Sequence, residues 1–385
     1  MEQICGMITQ LIVSQMNSSE LNLPLQPPYS DSLLIDIYNT AKAHDVVHLV
    51  GAALLENKLL DGCSIKGQYS DRFYAAVFRC EKLEHTLNEL SAVLEQNSIA
   101  HIPLKGAVIR KLYPQPWMRT SCDIDVLVHE QDLVRASELL TEKLGYSIKK
   151  KGNHDLSLLT AENISVELHF NLTEQNKAVS AVLNDVWSYA RPVSSDGNRY
   201  ELSEEMFCFY HIAHMAKHFV QGGCGMRPFL DLWMMEQSSG CFTDKTQKLL
   251  KKGGLLTFAD CARQLSRAWF GSQPHNHTTQ LMQDFILKGG CFGSAETRML
   301  SHQQLGGGKK KYILRRIFIP YNELKKQYPV LEKHRILFPL YELCRLFSLL
   351  TGRKKKLRKT YMRNLNGVTK EQAENINLLF ERVGL

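Results

Sequence analysis

The stretch Asp123-Ile-Asp-Val-Leu-Val128 guides the interpretation of the whole chain. Side chains alternate along a β-strand, so Asp123 and Asp125 share one side while Ile124 and Val126 face a core on the other. Two neighbouring carboxylates repel each other and are costly to keep ionised unless a cation lies between them. Oxygen ligands of this kind favour Mg²⁺ or Mn²⁺. The sequence therefore predicts a strand that carries two metal ligands, Asp123 and Asp125.

A second run, Ser165-Val-Glu-Leu-His169, alternates in the same way and places Glu167 and His169 on its polar side. If this strand lies beside the first one, three carboxylates converge on one face of a sheet. That layout suits a pair of metal ions that bridge a nucleoside triphosphate (NTP). Glu167 is therefore predicted as the third metal ligand. His169 is predicted either to touch the substrate or to hydrogen-bond Glu167.

Upstream, Leu104-Lys-Gly106 is predicted to form a turn between a strand and a short helix. A glycine allows the backbone to approach a phosphate, and the start of a helix offers free N–H donors. Lys105 and Arg119 could neutralise phosphate oxygens, although either could instead pair with an aspartate within the fold. The sequence contains neither G-x-x-x-x-G-K-[ST] nor G-x-G-x-x-G, which argues against a P-loop or Rossmann nucleotide site.

Around these strands, apolar residues recur at helical spacing, which predicts an α+β chain with a mixed β-sheet core flanked by N- and C-terminal helical regions. Four regions are predicted: an N-terminal helical region, the sheet-containing core, a helical domain and a basic C-terminal helical segment. They span 1–97, 98–177, 178–305 and 306–385, respectively.

The composition narrows the class of protein. The 385 residues are 44% hydrophobic and 22% charged, which excludes a disordered polypeptide. The sequence contains no run of roughly 18 apolar residues that could span a membrane, and the start of the chain does not resemble an export signal. The ten cysteines are scattered without a C-x-x-C pair, which is typical of reduced thiols and predicts a cytoplasmic protein.

The net charge of +8 is unevenly distributed. Between Gly306 and Arg363 there are 17 lysines and arginines but three acidic residues, so this span carries +14 and the remainder −6. Such a segment could meet RNA, DNA or an anionic lipid surface, or it could be a solvated basic helix docked on the acidic body. Few aromatic residues interleave with the charges between Gly352 and Arg363, which argues against base stacking.

Taken in order, these features resemble the nucleotidyltransferase superfamily of DNA polymerase beta, kanamycin nucleotidyltransferase and the CCA-adding enzymes. Within it, the chain is most similar to a bacterial group of nucleotidyltransferases of uncharacterised activity. The residues that carry the resemblance are Leu104-Lys-Gly106, Tyr113-Pro114, Arg119, Asp123–Val128, His154, Val166–Phe170, His211, His214, His218, Arg227–Asp231, Tyr328–Lys333 and Phe338–Tyr341.

The resemblance implies a metal-dependent enzyme that binds an NTP such as ATP and transfers a nucleoside monophosphate to a hydroxyl acceptor, with release of pyrophosphate. It implies that Asp123 and Asp125 hold Mg²⁺ or Mn²⁺, and that Glu167 assists a metal and deprotonates the acceptor. Lys105 and Gly106 would hold the triphosphate, although the superfamily more commonly has Gly-Ser at this turn. The acceptor is expected to be a small molecule or a protein.

Two other functions remain open: an RNA-binding or RNA-modifying protein that uses the basic segment, and a catalytically silent partner protein. His211, His214 and His218 share one helix face and raise a zinc hypothesis, but packing between the sheet and the helical region is favoured. Arg227 and Asp231, four residues apart, are predicted to form an ion pair, unless Arg227 reaches a phosphate. Cys122 is expected to pack in the core.

Overall fold

The chain folds into an α+β structure in which a mixed sheet is embedded among helices. The computed structural model describes residues 1–17, 21, 23–174, 176–238, 240–306, 318–350 and 370–385. The first half contains α1 Glu2–Asn17, α2 Asp31–Ala43, α3 Val47–Glu56, α4 Lys66–Gln96, β1 His101–Pro103, α5 Gly106–Ile109, β2 Asp123–Val128, α6 Leu133–Leu144, β3 Ser147–Lys151, β4 Asp155–Leu159 and β5 Ser165–His169.

The second half is mainly helical. Its elements are α7 Lys177–Leu183, β6 Ala190–Pro192, β7 Tyr200–Leu202, α8 Glu204–Val220, α9 Arg227–Ser238, α10 Asp244–Lys252, α11 Leu256–Phe270, α12 His277–Gly289, α13 Ala295–Gly306, α14 Tyr321–Gln327, α15 Val330–Lys333, α16 Phe338–Leu350 and α17 Lys370–Val383. Short 3₁₀ turns occur at Arg110–Leu112, Pro116–Met118, Glu130–Asp132, Val186–Tyr189 and Arg335–Leu337.

The main sheet has five strands in the order β1-β2-β5-β4-β3. β2 pairs with β5 in parallel, and the other neighbours are antiparallel. The parallel pair requires a crossover, which consists of α6, β3 and β4. The predicted mixed sheet with helices is therefore confirmed, and so is the position of the Glu167 strand beside the Asp123 strand.

The two faces of the sheet pack against different cores. Ile124 and Val126 lie in one apolar cluster together with residues of α4, α6, β4 and β5. Leu127, which points the opposite way, lies in a second, larger cluster built mainly from the helices. The face that carries the carboxylates is consequently covered by protein, and Asp125 is only 3% exposed.

Local sequence signals explain several helix ends. Asn276 and Thr279 form a reciprocal capping box at the start of α12, and the Ser30 hydroxyl accepts a hydrogen bond from the Leu33 N–H at the start of α2. Gly145 ends α6 with a φ of +68°, which glycine adopts without strain. The strand–helix boundaries around the site thus follow from the residues themselves.

The helical body includes elements from both ends of the described chain. The larger cluster contains Met7 and Leu11 of α1 as well as Leu379 and Phe380 of α17. None of the described helices is both long and apolar enough to cross a bilayer. The lysine- and arginine-rich stretches Lys309–Lys311 and Arg353–Lys359, which carry much of the predicted basic segment, lie outside the described residues.

Candidate metal and nucleotide site

The parallel pairing of β2 and β5 brings two acidic residues together. The register places Asp125 opposite Glu167, and Leu127 opposite His169. Because side chains alternate along each strand, Asp123 and Asp125 share a side with Glu167 and His169. The predicted convergence of the acidic side chains on one face of the sheet therefore results from the pairing of β2 with β5.

Asp125 lies at the centre of this group, and protein donors bond one of its two oxygens. Its Oδ1 accepts hydrogen bonds from Lys105 Nζ at 2.8 Å and from His169 Nε2 at 2.7 Å. Burial alone would raise the pKa of Asp125, but the Lys105 ammonium and the His169 donor overcome it and hold that pKa well below its usual range. Asp125 therefore stays ionised throughout the physiological pH range.

His169 lies between two carboxylates. Its Nε2 is 2.7 Å from Asp125 Oδ1 and 3.5 Å from Glu167 Oε2. Burial opposes protonation, but the bonds to Asp125 and Glu167 raise the pKa of His169 to about 9. At neutral pH the imidazole is therefore a cation that donates to Asp125 and lies beside Glu167. The predicted role of His169 at the substrate stays a prediction.

The donor atoms are close enough to share a cation. One ligand atom each from Asp125, Glu167 and His169 lies within 4.8 Å of the others, and within the described ranges no other group of histidine, cysteine and carboxylate side chains meets that condition. Two carboxylates fit a hard divalent ion such as Mg²⁺ or Mn²⁺. His169 can become a ligand only after losing its proton, so the carboxylates are the better candidates.

Asp123 begins the same strand and lies outside that close group. The residue is half-buried. Burial, together with the negative charge of Asp125, raises the pKa of Asp123. The structure thus distinguishes the two predicted ligands: Asp125 is neutralised by neighbouring cations, whereas Asp123 carries a charge that a cation would stabilise. Their predicted metal-binding role remains a prediction.

Lys105 reaches Asp125 from a strained turn. Its backbone has a φ of 46° and a ψ of −118°, in a region that favours glycine. The following Gly106 packs closely, because a Cβ at that position would lie 3.0 Å from Ser121 Cβ. The glycine is needed here for contact with the loop that enters β2. Its predicted approach to a phosphate stays a prediction.

Arg119 is buried away from the carboxylate group. Its Nε donates to Asp231 Oδ1 at 2.6 Å, and the same oxygen accepts the Tyr113 hydroxyl at 2.7 Å. Burial would raise the pKa of Asp231, but the Arg119 charge lowers it. This geometry favours the alternative in which Arg119 pairs with an aspartate within the fold, and the predicted phosphate contact of Arg119 is not tested by it.

Helix α8 carries His214 and Tyr210, which lie near Lys105 and Asp125. His211 Nε2 lies 3.1 Å from the Pro228 carbonyl oxygen, while His214 Nε2 and His218 Nε2 are 3.0 Å apart. Burial, followed by the nearby charge of Lys105, lowers the pKa of His214 well below its ordinary value. His211 thus contacts α9, while His214 and His218 contact each other. The packing role of this row, favoured over zinc binding, stays a prediction.

Two expectations from the sequence are wrong. Arg227 pairs with Asp45 rather than with Asp231, because Asp231 lies in the interior beside Arg119. Cys122 is exposed instead of packed in the core, since the loop before β2 turns its side chain outward.

Sequence reasoning missed the partners that come from distant parts of the chain. Asp231 bonds both Tyr113 and Arg119, although it lies more than 100 residues further along the sequence than either. Tyr210 of α8 lies near Lys105. Burial would lower the pKa of Lys105, but Tyr210 and Asp125 together raise it. Spacing within either segment carries no signal for such contacts.

Comparisons with known proteins identify the family of the chain. A family model described as "Uncharacterised nucleotidyltransferase" matches residues 35–271, more than half of the chain, including the whole sheet and helices α8 and α9. A comparison with curated proteins found no significant match.

A similar solved structure is the Thermotoga maritima CCA-adding enzyme complexed with tRNA. It is 12% identical, with 79% of this chain and 92% of that chain covered and a TM-score of 0.22, which is too low to support an argument. The family match, however, includes every residue of the carboxylate group. The chain belongs to this family of uncharacterised nucleotidyltransferases.

Proposed function

We propose that this nucleotidyltransferase moves a nucleoside monophosphate from an NTP to a hydroxyl acceptor and releases pyrophosphate, with Mg²⁺ or Mn²⁺ bound at the β2–β5 carboxylates. One observation carries the proposal: the parallel register that sets Asp125 beside Glu167, with Asp123 one repeat earlier on the same face. Lys105 and His169 neutralise Asp125, which leaves Asp123 and Glu167 as carboxylates that a divalent cation would stabilise.

The roles of the side chains follow from their surroundings. Asp123, Asp125 and Glu167 would hold the divalent ion, which when bound stabilises charge on the phosphate oxygens. Glu167 has a side-chain exposure of 31%, the largest in the close group, so it can accept the proton of an incoming hydroxyl. His169 orients Asp125 and Glu167 through its Nε2.

Lys105 and Gly106 would face the triphosphate. The Lys105 side chain is 24% exposed and therefore reachable from solvent, in contrast to Asp125 at 3%. An ammonium group beside a metal-bound triphosphate stabilises its negative charge. We infer from this arrangement a kinship with the DNA polymerase beta and kanamycin nucleotidyltransferase superfamily, which also carries two aspartates on one strand.

The acceptor can be a small molecule, a protein or RNA. RNA is a second candidate because the sequence between Gly306 and Arg363 carries a charge of +14, enough to attract a polyanion. RNA affinity that falls steeply with salt, and is lost when residues after Gly306 are deleted, would identify that acceptor. A catalytically silent partner protein is the contrary outcome.

The proposal is tested by nucleotide-dependent stabilisation and by turnover. With Mg²⁺ present, one of the four NTPs should raise the melting temperature, because a ligand that binds the folded state stabilises it. Asp125→Asn should remove this shift and lower pyrophosphate release at least about 100-fold, as is common when a charge-stabilising group is lost. Glu138→Gln, which alters an exposed acid on α6, should change neither.

Unchanged stabilisation and turnover in both Asp123→Asn and Asp125→Asn would show that the carboxylates have no role in the reaction. Absence of metal and NTP binding in the wild-type protein would support the silent partner.

A further inference from the structure

The contacts around Asp125 have a consequence for how a metal ion enters. Lys105 Nζ and His169 Nε2 both bond the same oxygen, Oδ1, at 2.8 and 2.7 Å. A Mg²⁺ or Mn²⁺ ion ligated by that carboxylate would come within about 2.1 Å of an oxygen. The Lys105 ammonium already bonds this carboxylate, so it repels a divalent ion that approaches the same group. Binding of the ion is therefore favoured when one of the two groups bonded to Oδ1 withdraws.

Lys105 is the cation that can withdraw. Its side chain is 24% exposed, whereas that of His169 is 13% exposed and belongs to a central strand of the sheet. A lysine carries its charge on a flexible four-carbon stem, and a histidine ring on a paired strand has no comparable reach. The Lys105 backbone, with a φ of 46°, is held in a strained conformation that aims the side chain at Asp125.

An incoming triphosphate supplies the reason to withdraw. It offers several negative oxygens in place of the single carboxylate oxygen, so the ammonium can exchange one anionic partner for another. The metal ion arrives with the same ligand, since Mg²⁺ is commonly held by one or two carboxylates together with substrate phosphates. Transfer of Lys105 and entry of the ion are then coupled.

Resting on the function proposed above, we propose that Lys105 occupies the cation position at Asp125 in the free enzyme and yields it only when a nucleoside triphosphate binds. Lys105 is thus a positioning residue that makes metal loading dependent on nucleotide. The free enzyme binds divalent ions weakly, and metal and nucleotide strengthen each other's binding to an equal degree.

The test measures Mn²⁺ binding by the loss of the free-ion electron paramagnetic resonance signal, with and without a non-hydrolysable NTP analogue. In the wild-type protein the analogue should increase Mn²⁺ affinity on the order of tenfold or more. Asp125→Asn gives the baseline for metal that binds the nucleotide alone. Lys105→Met should bind Mn²⁺ without nucleotide about tenfold more tightly than wild type, because a unit charge a few ångströms away is removed.

Two matched variants isolate the effect of the charge at this position. Lys105→Arg keeps the cation and should behave as wild type with Mn²⁺ alone. Lys217→Met removes a different ion pair, with Glu174 at 3.1 Å, and should leave Mn²⁺ binding unchanged. Circular dichroism confirms folding, and Lys105→Gln replaces Lys105→Met if the latter does not fold.

The outcomes separate this inference from the function on which it rests. If neither Lys105→Met nor Lys105→Gln binds Mn²⁺ alone more tightly than wild type, or if the wild-type protein shows no metal–nucleotide synergy, the inference is overturned. In both cases, Mn²⁺ binding that depends on Asp125 leaves the proposed function standing. If wild type and Asp125→Asn are indistinguishable in every mixture, the proposed function itself fails.

Discussion

At the residue scale, Asp231 is the acidic member of a buried ion pair with Arg119. It is fully buried, and one of its oxygens accepts from both Arg119 and Tyr113. Asp231→Asn removes the charge that neutralises the Arg119 guanidinium in the interior. We expect the free energy of unfolding to fall by about 3–5 kcal/mol, the usual cost of leaving one member of a buried ion pair alone. Urea unfolding followed by circular dichroism measures it.

An exposed ion pair provides the control for this prediction. Lys66 and Asp61 are 2.7 Å apart, but both side chains are about half exposed, so water replaces the contact when it is lost. Asp61→Asn should leave the unfolding midpoint unchanged. Equal effects of the two substitutions would show that the buried network does not hold the loop before β2.

Several site residues can be predicted at this scale because strand alternation fixes the direction of a side chain. Asp123, Asp125 and Glu167 were placed on one face by that rule, and the register of β2 and β5 agrees. Alternation does not tell what covers the face. Asp125 is only 3% exposed, and its own strand does not predict what buries it. The positive φ of Lys105 could not be predicted either, because non-glycine residues rarely adopt it.

At the scale of elements, the two edges of the sheet differ. β1 is covered by the residues just before β7, since His101 forms a bridge with Arg199. β3 is the opposite edge, and all five of its residues are exposed. Three of them are lysines, which discourage pairing with the edge of another molecule. Lys149→Thr combined with Lys151→Thr should therefore increase self-association, measured by light scattering at rising protein concentration.

A double substitution on a helix separates edge pairing from lost net charge. Lys245→Thr combined with Lys248→Thr alters two exposed lysines of α10 and removes the same charge. That variant should scatter as wild type does. If both variants aggregate alike, net charge rather than the strand edge keeps the protein dispersed.

Element types were largely predictable, because each strand and helix carries its own periodicity. The alternating runs Asp123–Val128 and Ser165–His169 coincide with β2 and β5. The order of the strands in the sheet could not be predicted from the sequence. Only the sheet itself shows that β5 returns beside β2 and leaves β3 at the edge.

At the scale of the whole molecule, buried histidines set the response to acid. Burial lowers the pKa of His44 and of His48 to about 4 in each case, even though the Met118 carbonyl bonded to His48 opposes this. The unfolded chain titrates near pH 6.5, so it binds more protons than the folded one between about pH 6.5 and pH 4. The stability that depends on these two uncharged imidazoles is complete above that window and should fall as pH drops through it, by roughly 3 kcal/mol per histidine.

Urea unfolding midpoints measured between pH 7.5 and pH 4 test this loss of stability in acid. His48→Gln keeps a donor for the Met118 carbonyl but does not titrate, so its stability should fall less steeply than that of wild type. The exposed His277→Gln should follow the wild-type curve. A wild-type stability that is flat from pH 6.5 to 4 would mean that these imidazoles are hydrated in the folded protein.

The position of α17 in the larger core affects folding of the chain during its synthesis. Phe380 is fully buried, and its ring lies 5.8 Å from that of Phe219 and 6.0 Å from that of Phe285. While the ribosome synthesises the chain at ~5–20 residues per second, the rings of α8 and α12 wait on the order of ten seconds for this helix to emerge. A nascent chain therefore exposes these aromatic side chains until α17 has been synthesised, and chaperone binding during that interval should govern the yield of folded protein.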